Sequence, residues 1–290
     1  MGFLAEMLTT AINGFLINVL NDVLSFFTTT IAREHEMALR LLDLAFVRGA
    51  ISLAQVVGGA LLGLKVAVEA LRSYILFSTG SADVSPFKLV KRAVYAAALL
   101  MGSPWLARTV FGYGATLAVA VAEVPALPEG ANPLRAVLLQ TGGVGFGALL
   151  LLGAMVIFWL LIYLQSIIRS VEIAFLSVAG PIMAVGLTGA DEGAWAVWWR
   201  ELIVVSMSQA VQMFMLTGFF STIGGMLVGQ PLNVYTLLVG VAWLWVAHRS
   251  PAVLRQFSYH TGTGSLASTA ARTGTSVVRA LVTRSTGARP

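Results

Sequence analysis

The chain has 290 residues, of which 58% are hydrophobic and only 11% are charged. Soluble domains carry roughly 25% charged residues, so the composition excludes an ordinary soluble domain and predicts an all-α, polytopic membrane helix bundle. The sequence contains no cysteine, which excludes disulfides, cysteine zinc sites and iron–sulfur clusters. The formal net charge is +5, and the basic residues are unevenly placed along the chain.

The first 43 residues predict helices outside the membrane, on the extracytoplasmic side. Residues 3–30 repeat apolar side chains at helical spacing, and polar residues such as Asn13 and Asp22 interrupt the pattern on other faces. This pattern favours an amphipathic helix at the membrane interface over a membrane span. Residues 32–46 mix acidic and basic side chains, which is typical of a helix with a solvated face.

The central part of the chain, residues 44–248, is predicted to be the transmembrane domain. About 20 apolar residues suffice to cross a bilayer. We predict five spans, at about 44–71, 93–121, 142–168, 202–228 and 234–247, the last of which is the shortest and carries Trp243 and Trp245 near its end, as interfacial aromatic belts do. Residues 173–187 are also apolar, but this piece is short and Gly180-Pro181 interrupts it. We therefore predict a broken helix that re-enters the membrane or lies at its cytoplasmic interface.

Basic residues set the predicted orientation, because basic loops resist translocation. Residues 72–92 carry four basic residues and one acid, and residues 249–290 carry six arginines and no acid. Four spans separate the two segments, which returns the chain to the same side, whereas a fifth crossing by residues 173–187 would not. We expect an inner, cytoplasmic-membrane protein with its N-terminus outside and its C-terminus inside.

The C-terminal segment, residues 249–290, is predicted to be a flexible basic tail, because it is rich in Gly, Ser, Thr and Ala. Its arginines could contact anionic lipid, nucleic acid or an acidic partner, or could simply reflect the cytoplasmic bias of basic residues. They are Arg249, Arg255, Arg272, Arg279, Arg284 and Arg289.

Charged residues near the membrane are few enough to weigh singly. Arg169 and Glu172 lie one helical turn apart and share a face, so they could pair as a salt bridge that fixes the helix end. The alternative is a subunit contact or a gating hinge. Arg108 falls close to the middle of a span, where a charge is costly, and it should therefore face a cavity, a partner or a headgroup.

Three polar residues, Ser206, Gln209 and Gln212, recur at i, i+3 and i+6 and so share a face of the fourth span. Such a face serves either as an interhelical contact or as a pore lining. Nucleotide-binding and zinc-protease motifs are missing from the sequence, and the three histidines lie far apart along it. We expect no enzyme activity, no cofactor and no metal site, so energy for transport would come from another subunit.

The central stretch resembles TrbL-like proteins, the polytopic inner-membrane subunits of conjugative type IV secretion systems. A long apolar helix leads to RSVEIAFL, then AGPIMAVGL, a short polar turn, the aromatic pattern WxxWWRE and a further span, over residues 142–228. In matching positions the resemblance implies that the family features are Arg169, Glu172, Pro181 and Trp199. We take these four and Gly180 as candidate hinge or subunit-contact residues. The loop at residues 123–140 is shorter than in relatives with a large extracytoplasmic domain at that place.

The resemblance implies that several copies form a ring in the membrane beneath a pilus or adhesion component. The ring would help to pass single-stranded DNA or protein, with separate ATPases as the source of energy and membrane lipids around it. The alternative from another class is a small-molecule transporter or permease subunit, but the sequence shows no inverted repeat and has few polar residues within its spans. A purely structural assembly factor is a third interpretation.

Overall fold

The computed structural model describes residues 36–78, 86–123, 146–188, 193–227 and 234–260. A short helical stretch, residues 36–42, precedes five long helices, and a 3-10 turn, Val185–Thr188, follows the third. The five are α1 (Ala45–Ser78), α2 (Pro86–Ala122), α3 (Phe146–Ala184), α4 (Gly193–Leu227) and α5 (Val234–His260). The predicted all-α membrane helix bundle is confirmed.

All five helices are long and apolar enough to cross a membrane. They hold 27 to 39 residues, which at 1.5 Å per residue makes them about 40 to 58 Å long. The hydrocarbon core of a bilayer is about 30 Å thick, so each helix has length to spare for tilt or for projection beyond the core. Helices suit this solvent because they satisfy their backbone polar groups internally.

Helix α3 differs from the prediction, because it runs without interruption through residues 173–184. Proline removes one backbone donor and clashes with the preceding turn, yet Pro181 lies inside the helix. Neighbouring helices pack closely against this point: Gly58 of α1 approaches the Pro181 carbonyl, and Ser103 of α2 lies beside Gly180. Tight packing on both sides explains why the predicted break is absent from the helix, and the path of residues 173–187 through the membrane stays a prediction.

Helix α5 also extends beyond its predicted end at residue 247 and continues to His260. Two of the arginines assigned to the tail, Arg249 and Arg255, therefore lie on a packed helix. The remaining four tail arginines, and residues 1–35 of the predicted N-terminal helices, lie outside the described residues.

Side-chain contacts fix the relative directions of the helices. Parallel packing of α3 and α5 follows from Phe158 against Trp245 and from Glu172 against Arg255, since both contacts advance together along the two helices. Helix α4 is antiparallel to α3, and α2 is antiparallel to α1 and to α3. The ends of α1, α3 and α5 and the starts of α2 and α4 thus point the same way along the bundle.

Two apolar clusters among the described residues include side chains of both α3 and α4, and a smaller one joins Leu100 of α2 to Ala184 at the end of α3. Trp159, Phe219 and Leu244 belong to the cluster between α3, α4 and α5. Phe111 and Ile173 belong to the cluster between α2, α3 and α4. Lipid is as apolar as these side chains, so their close packing stabilises the bundle mainly through dispersion contacts.

Candidate functional site

Polar side chains line the junction of α3, α4 and α5. On α3, Gln165, Arg169 and Glu172 recur at i, i+4 and i+7 and therefore share a face. Together with their partners on α4 and α5 they form a group that we call the polar seam, which consists of Gln165, Arg169, Glu172, Glu201, Gln212, His248, Arg255 and Tyr259.

Arg169 is the most deeply placed charge of the seam, with 3% of its surface exposed. A buried charge costs free energy unless hydrogen bonds satisfy it. The guanidinium of Arg169 donates through Nη2 to the side-chain oxygen Oε1 of Gln212 on α4. Gln212 is itself 4% exposed, so this contact lies within the helix junction.

The amide of Gln212 continues the network toward α5. Its Nε2 donates to Oε1 of Gln165 at 2.8 Å and to the carbonyl oxygen of Ala247 at 3.4 Å. Nε2 of Gln165 in turn donates to the carbonyl oxygen of His248 at 3.0 Å and lies 2.9 Å from Nδ1 of the His248 ring. Two glutamine side chains therefore connect all three helices.

A proline explains why the carbonyl of Ala247 is available to a side chain. Pro251 lies inside α5, four residues after Ala247, and proline lacks the N–H that would bond this carbonyl in a regular helix. The Ala247 oxygen accepts instead from Gln212 Nε2 and from the hydroxyl of Ser250, which is 2.9 Å away. Neighbouring side chains thus satisfy the freed backbone group, as a membrane interior requires.

Ion pairs form the other end of the polar seam. Arg255 on α5 contacts Glu172 of α3, with Nη2 2.8 Å from Oε1, and Glu201 of α4, with Nε 3.3 Å from Oε2. The hydroxyl of Tyr259 donates to Glu201 at 3.1 Å, and the guanidinium of Arg200 lies 5.1 Å from the centre of the Tyr259 ring. Arg255 therefore joins the same three helices as the amide network.

Arg169 and Glu172 share a face, as predicted, but the structure gives each a partner on another helix. Glu172 contacts Arg255, and Arg169 contacts Gln212. The difference has a physical reason: Glu172 is half-buried and reaches the half-exposed guanidinium of Arg255, while Arg169 points into the helix junction. The proposed role of the two residues as a hinge or a subunit contact stays a prediction.

The face of Ser206, Gln209 and Gln212 is turned into the bundle, since all three are buried. The Ser206 hydroxyl donates to the carbonyl of Leu202 at 2.7 Å. The side-chain oxygen of Gln209 has no hydrogen-bond partner among the described residues. Burial within one chain favours the interhelical alternative over the pore lining.

Aromatic residues at the start of α4 tie this helix to α3. The indole N–H of Trp198 donates to the carbonyl of Leu176 at 2.8 Å, and Trp195 stacks on Trp198 with ring centres 4.5 Å apart. Trp199, the predicted contact residue, is partly buried against the same cluster. Trp198 is more buried than Trp199, at 2% exposed, and the proposed role of Trp199 as a hinge or subunit contact stays a prediction.

Arg108 has a partner within the chain. Its guanidinium donates to both carboxylate oxygens of Asp43, at 3.2 and 3.4 Å, and both side chains are about half exposed. The predicted intramembrane charge is thus paired with the residue that precedes α1.

We expect Asp43→Asn to lower the free energy of unfolding by no more than about 1 kcal/mol, because exposed ion pairs contribute little. Thermal unfolding of the purified chain in mild detergent measures the change. Arg40→Gln is the control, because its pair with Glu36 spans 4.0 Å and is more exposed still. A loss well above that of the control and above this limit would show that lipid or a partner covers the Asp43–Arg108 pair.

Arg255→Gln is expected to destabilise the bundle by about 1 kcal/mol, because it removes two ion pairs whose side chains are only partly exposed. Arg249→Gln on the same helix should have almost no effect, since Arg249 is exposed and lies over the ring of Trp245. Unfolding in detergent at low ionic strength compares the two variants. Equal losses would contradict a specific role for Arg255 in joining the helices.

No curated protein and no solved structure is similar enough to match this chain. The sequence model of one protein family, described as "Conjugal transfer protein TrbL", matches residues 1–284. This match extends the resemblance from residues 142–228 to almost the whole chain. The chain belongs to the TrbL family of conjugal transfer proteins.

Proposed function

We propose that this chain is a channel or scaffold subunit of a conjugation-type secretion machine, and that several copies assemble in the cytoplasmic membrane to pass DNA or protein. Membership of the TrbL family supports a place among type IV secretion components. Five helices long and apolar enough to span a membrane support a multi-pass subunit. Other secretion subunits, including separate ATPases and a pilus or adhesion component, are the proposed partners.

The observation that carries the multi-copy proposal is the filled interior of the single chain. Phe111, Phe219, Leu202 and Leu244 are fully buried between the helices. Packed helices lie about 8–10 Å apart, a space that their own side chains occupy. The described helices therefore leave no room for a polymer within one copy, and a path for DNA or protein would lie between copies.

The outer surface offers ample area for such contacts. Only 11% of the most apolar window of α1 is buried inside the chain, against 56% for α4. At Gly59 and Gly63 of α1, nothing lies within 4 Å of the position that a Cβ atom would take. Most of α1 is thus available to lipid or to a neighbouring copy.

The function is tested by conjugative transfer from donor cells. Deletion of the gene should reduce transfer to the background level, and the wild-type chain supplied in trans should restore it. A donor in which transfer proceeds at full frequency without the gene would overturn the proposal. Uptake or efflux of a small molecule that depends on the gene, with transfer unaffected, would favour the transporter alternative.

The proposed orientation places the basic C-terminal segment in the cytoplasm. Because the chain contains no cysteine, one cysteine introduced at Ser265 gives a label without background. A membrane-impermeant maleimide should leave this cysteine unmodified in intact cells and should modify it after the membrane is opened. Labelling in intact cells would contradict the orientation.

A further inference from the structure

A series of hydrogen bonds links Arg169 to His248 through Gln212 and Gln165, and in each bond the residue nearer Arg169 is the donor. A guanidinium has donors and no acceptor, so Gln212 has to turn Oε1 toward Arg169. Its Nε2 then faces the opposite way and donates to Oε1 of Gln165 and to the carbonyl of Ala247. The positive charge on α3 thereby fixes which way the amide on α4 points.

The other end of the chain of hydrogen bonds independently fixes the orientation of Gln165. A backbone carbonyl has no donor, so the carbonyl of His248 requires the Nε2 side of Gln165, and the two atoms are 3.0 Å apart. The same orientation presents Oε1 of Gln165 to Gln212, at 2.8 Å. The orientation that Arg169 gives to Gln212 and the orientation that the His248 carbonyl gives to Gln165 are therefore compatible with one hydrogen bond between the two amides.

The orientation of Gln165 determines that Nδ1 of His248 is a hydrogen-bond acceptor. Nε2 of Gln165 carries two hydrogens, of which one goes to the His248 carbonyl and the other points to Nδ1 of the ring, 2.9 Å away. Nδ1 then has to accept, which means a neutral ring with its proton on Nε2. A proton on Nδ1 would place two donors face to face.

We propose that Arg169 is a positioning residue which, through Gln212 and Gln165, holds α5 against α3 only while Nδ1 of His248 carries no proton. The amides have no way to adjust to a protonated ring. If Gln165 turned over, its Nε2 would face Nε2 of Gln212, and Gln212 is prevented from turning by Arg169. Protonation of Nδ1 therefore breaks the hydrogen bond between Gln165 of α3 and the His248 ring of α5. The ring cannot donate to Gln165 instead, because the amide of Gln165 cannot turn over.

Charged side chains of the described part of α3 and α4 lie at the junction with α5. They are Arg169 and Glu172 of α3 and Arg200 and Glu201 of α4. Both carboxylates contact Arg255 of α5, which lies seven residues, about 10 Å, beyond His248. The charge that reaches the imidazole through hydrogen bonds is that of Arg169. This inference does not depend on the proposed transport function.

Nuclear magnetic resonance of the full chain, labelled with ¹⁵N in its histidine rings, tests the assignment. His248→Asn identifies the His248 signals by their loss. We expect the wild-type ring at pH 7.5 to be neutral with its proton on Nε2. A ring protonated on Nδ1, or a charged ring, would overturn the proposal.

Variants of Arg169 and Gln212 test whether these residues determine which nitrogen of the His248 ring carries the proton. Arg169→Lys keeps a pure donor and should keep the tautomer, whereas Gln212→Glu removes the donor that faces Gln165. Gln165 should then turn over, because a hydrogen bond from its Nε2 to the carboxylate is stronger than the bond that Nε2 gives up at the His248 carbonyl. Its Oε1 would then accept from the ring, so the proton should move to Nδ1. Because a Glu at this position compensates the charge of Arg169, this variant is chosen to keep the fold. An unchanged tautomer in a folded Gln212→Glu variant would contradict the proposal.

A distance measurement tests the effect on the helices. Spin labels on cysteines at Leu164 of α3 and Val253 of α5 use exposed positions in a cysteine-free chain. We expect one distance at pH 8 and a second, longer population at pH 5. His248→Asn keeps an acceptor near Nδ1 without the titration and should show one distance at both pH values. A wild-type distance that is the same at both pH values would refute proton-dependent holding of α5.

Discussion

Replacing Gly114 by alanine is expected to be among the most damaging single-methyl changes in the chain. A Cβ atom at this position of α2 would lie 2.7 Å from the carbonyl carbon of Ser206 on α4 and closer still to its oxygen. The obstacle is backbone, so the helices themselves would have to move apart. Overpacking of this kind costs about 1–3 kcal/mol or more, and thermal unfolding in detergent should show a clear loss of stability.

Gly102→Ala supplies the matched control for Gly114→Ala. Gly102 lies on the same helix, and nothing lies within 4 Å of the position that its Cβ would take. This variant should unfold like the wild type and should support transfer, whereas Gly114→Ala should reduce both stability and transfer. Equal behaviour of the two variants would contradict the close contact between α2 and α4.

The second large effect is expected for Gln212→Leu. This substitution leaves the guanidinium of Arg169 buried without its acceptor on α4, and removal of one partner of a buried charge costs about 3–5 kcal/mol. It also removes the donor to the carbonyl of Ala247, which Pro251 has freed. We expect a large drop in the unfolding temperature in detergent, or failure of the chain to accumulate in the membrane.

Gln209→Leu is the control for Gln212→Leu, because the two glutamines lie one turn apart on α4 and are equally buried. The side-chain oxygen of Gln209 has no partner among the described residues, so its loss should be neutral or slightly stabilising. The double variant Arg169→Leu/Gln212→Leu should recover part of the stability, since it removes the buried charge together with the acceptor that it has lost. A Gln209→Leu variant as unstable as Gln212→Leu would show that amide burial in general, and not Arg169, sets the cost.

The sequence was sufficient to predict the five long apolar helices of the described residues, because long apolar stretches carry that information locally. It also located Arg169 and the face of Gln209 and Gln212, since buried polar groups stand out in an apolar segment. Helix ends were less well predicted. Pro181 and Pro251 are usual signals for a helix end, but both lie inside helices here. Side chains of Gln212 and Ser250 donate to the carbonyl that Pro251 frees, and α1 and α2 pack closely around Pro181.

The sequence did not predict which side chains on different helices form hydrogen bonds and ion pairs with each other. Gln165, His248 and Glu201 became part of the candidate site only when α3, α4 and α5 came together, and spacing along one helix had suggested an Arg169–Glu172 pair instead. One signal was available: Pro251 leaves the carbonyl of Ala247 without its backbone donor, which predicts a polar side chain nearby. Nothing in the sequence says which helix supplies it.

If this chain passes DNA or protein, the path should lie between copies, because the described interior of one copy is filled with side chains. Native mass spectrometry of the full-length protein, released from lipid nanodiscs, measures the copy number directly. We predict a complex whose protein mass is a multiple of the 30.7 kDa chain, with several copies. A chain that stays monomeric in nanodiscs while the same preparation of cells transfers DNA at full frequency would contradict it.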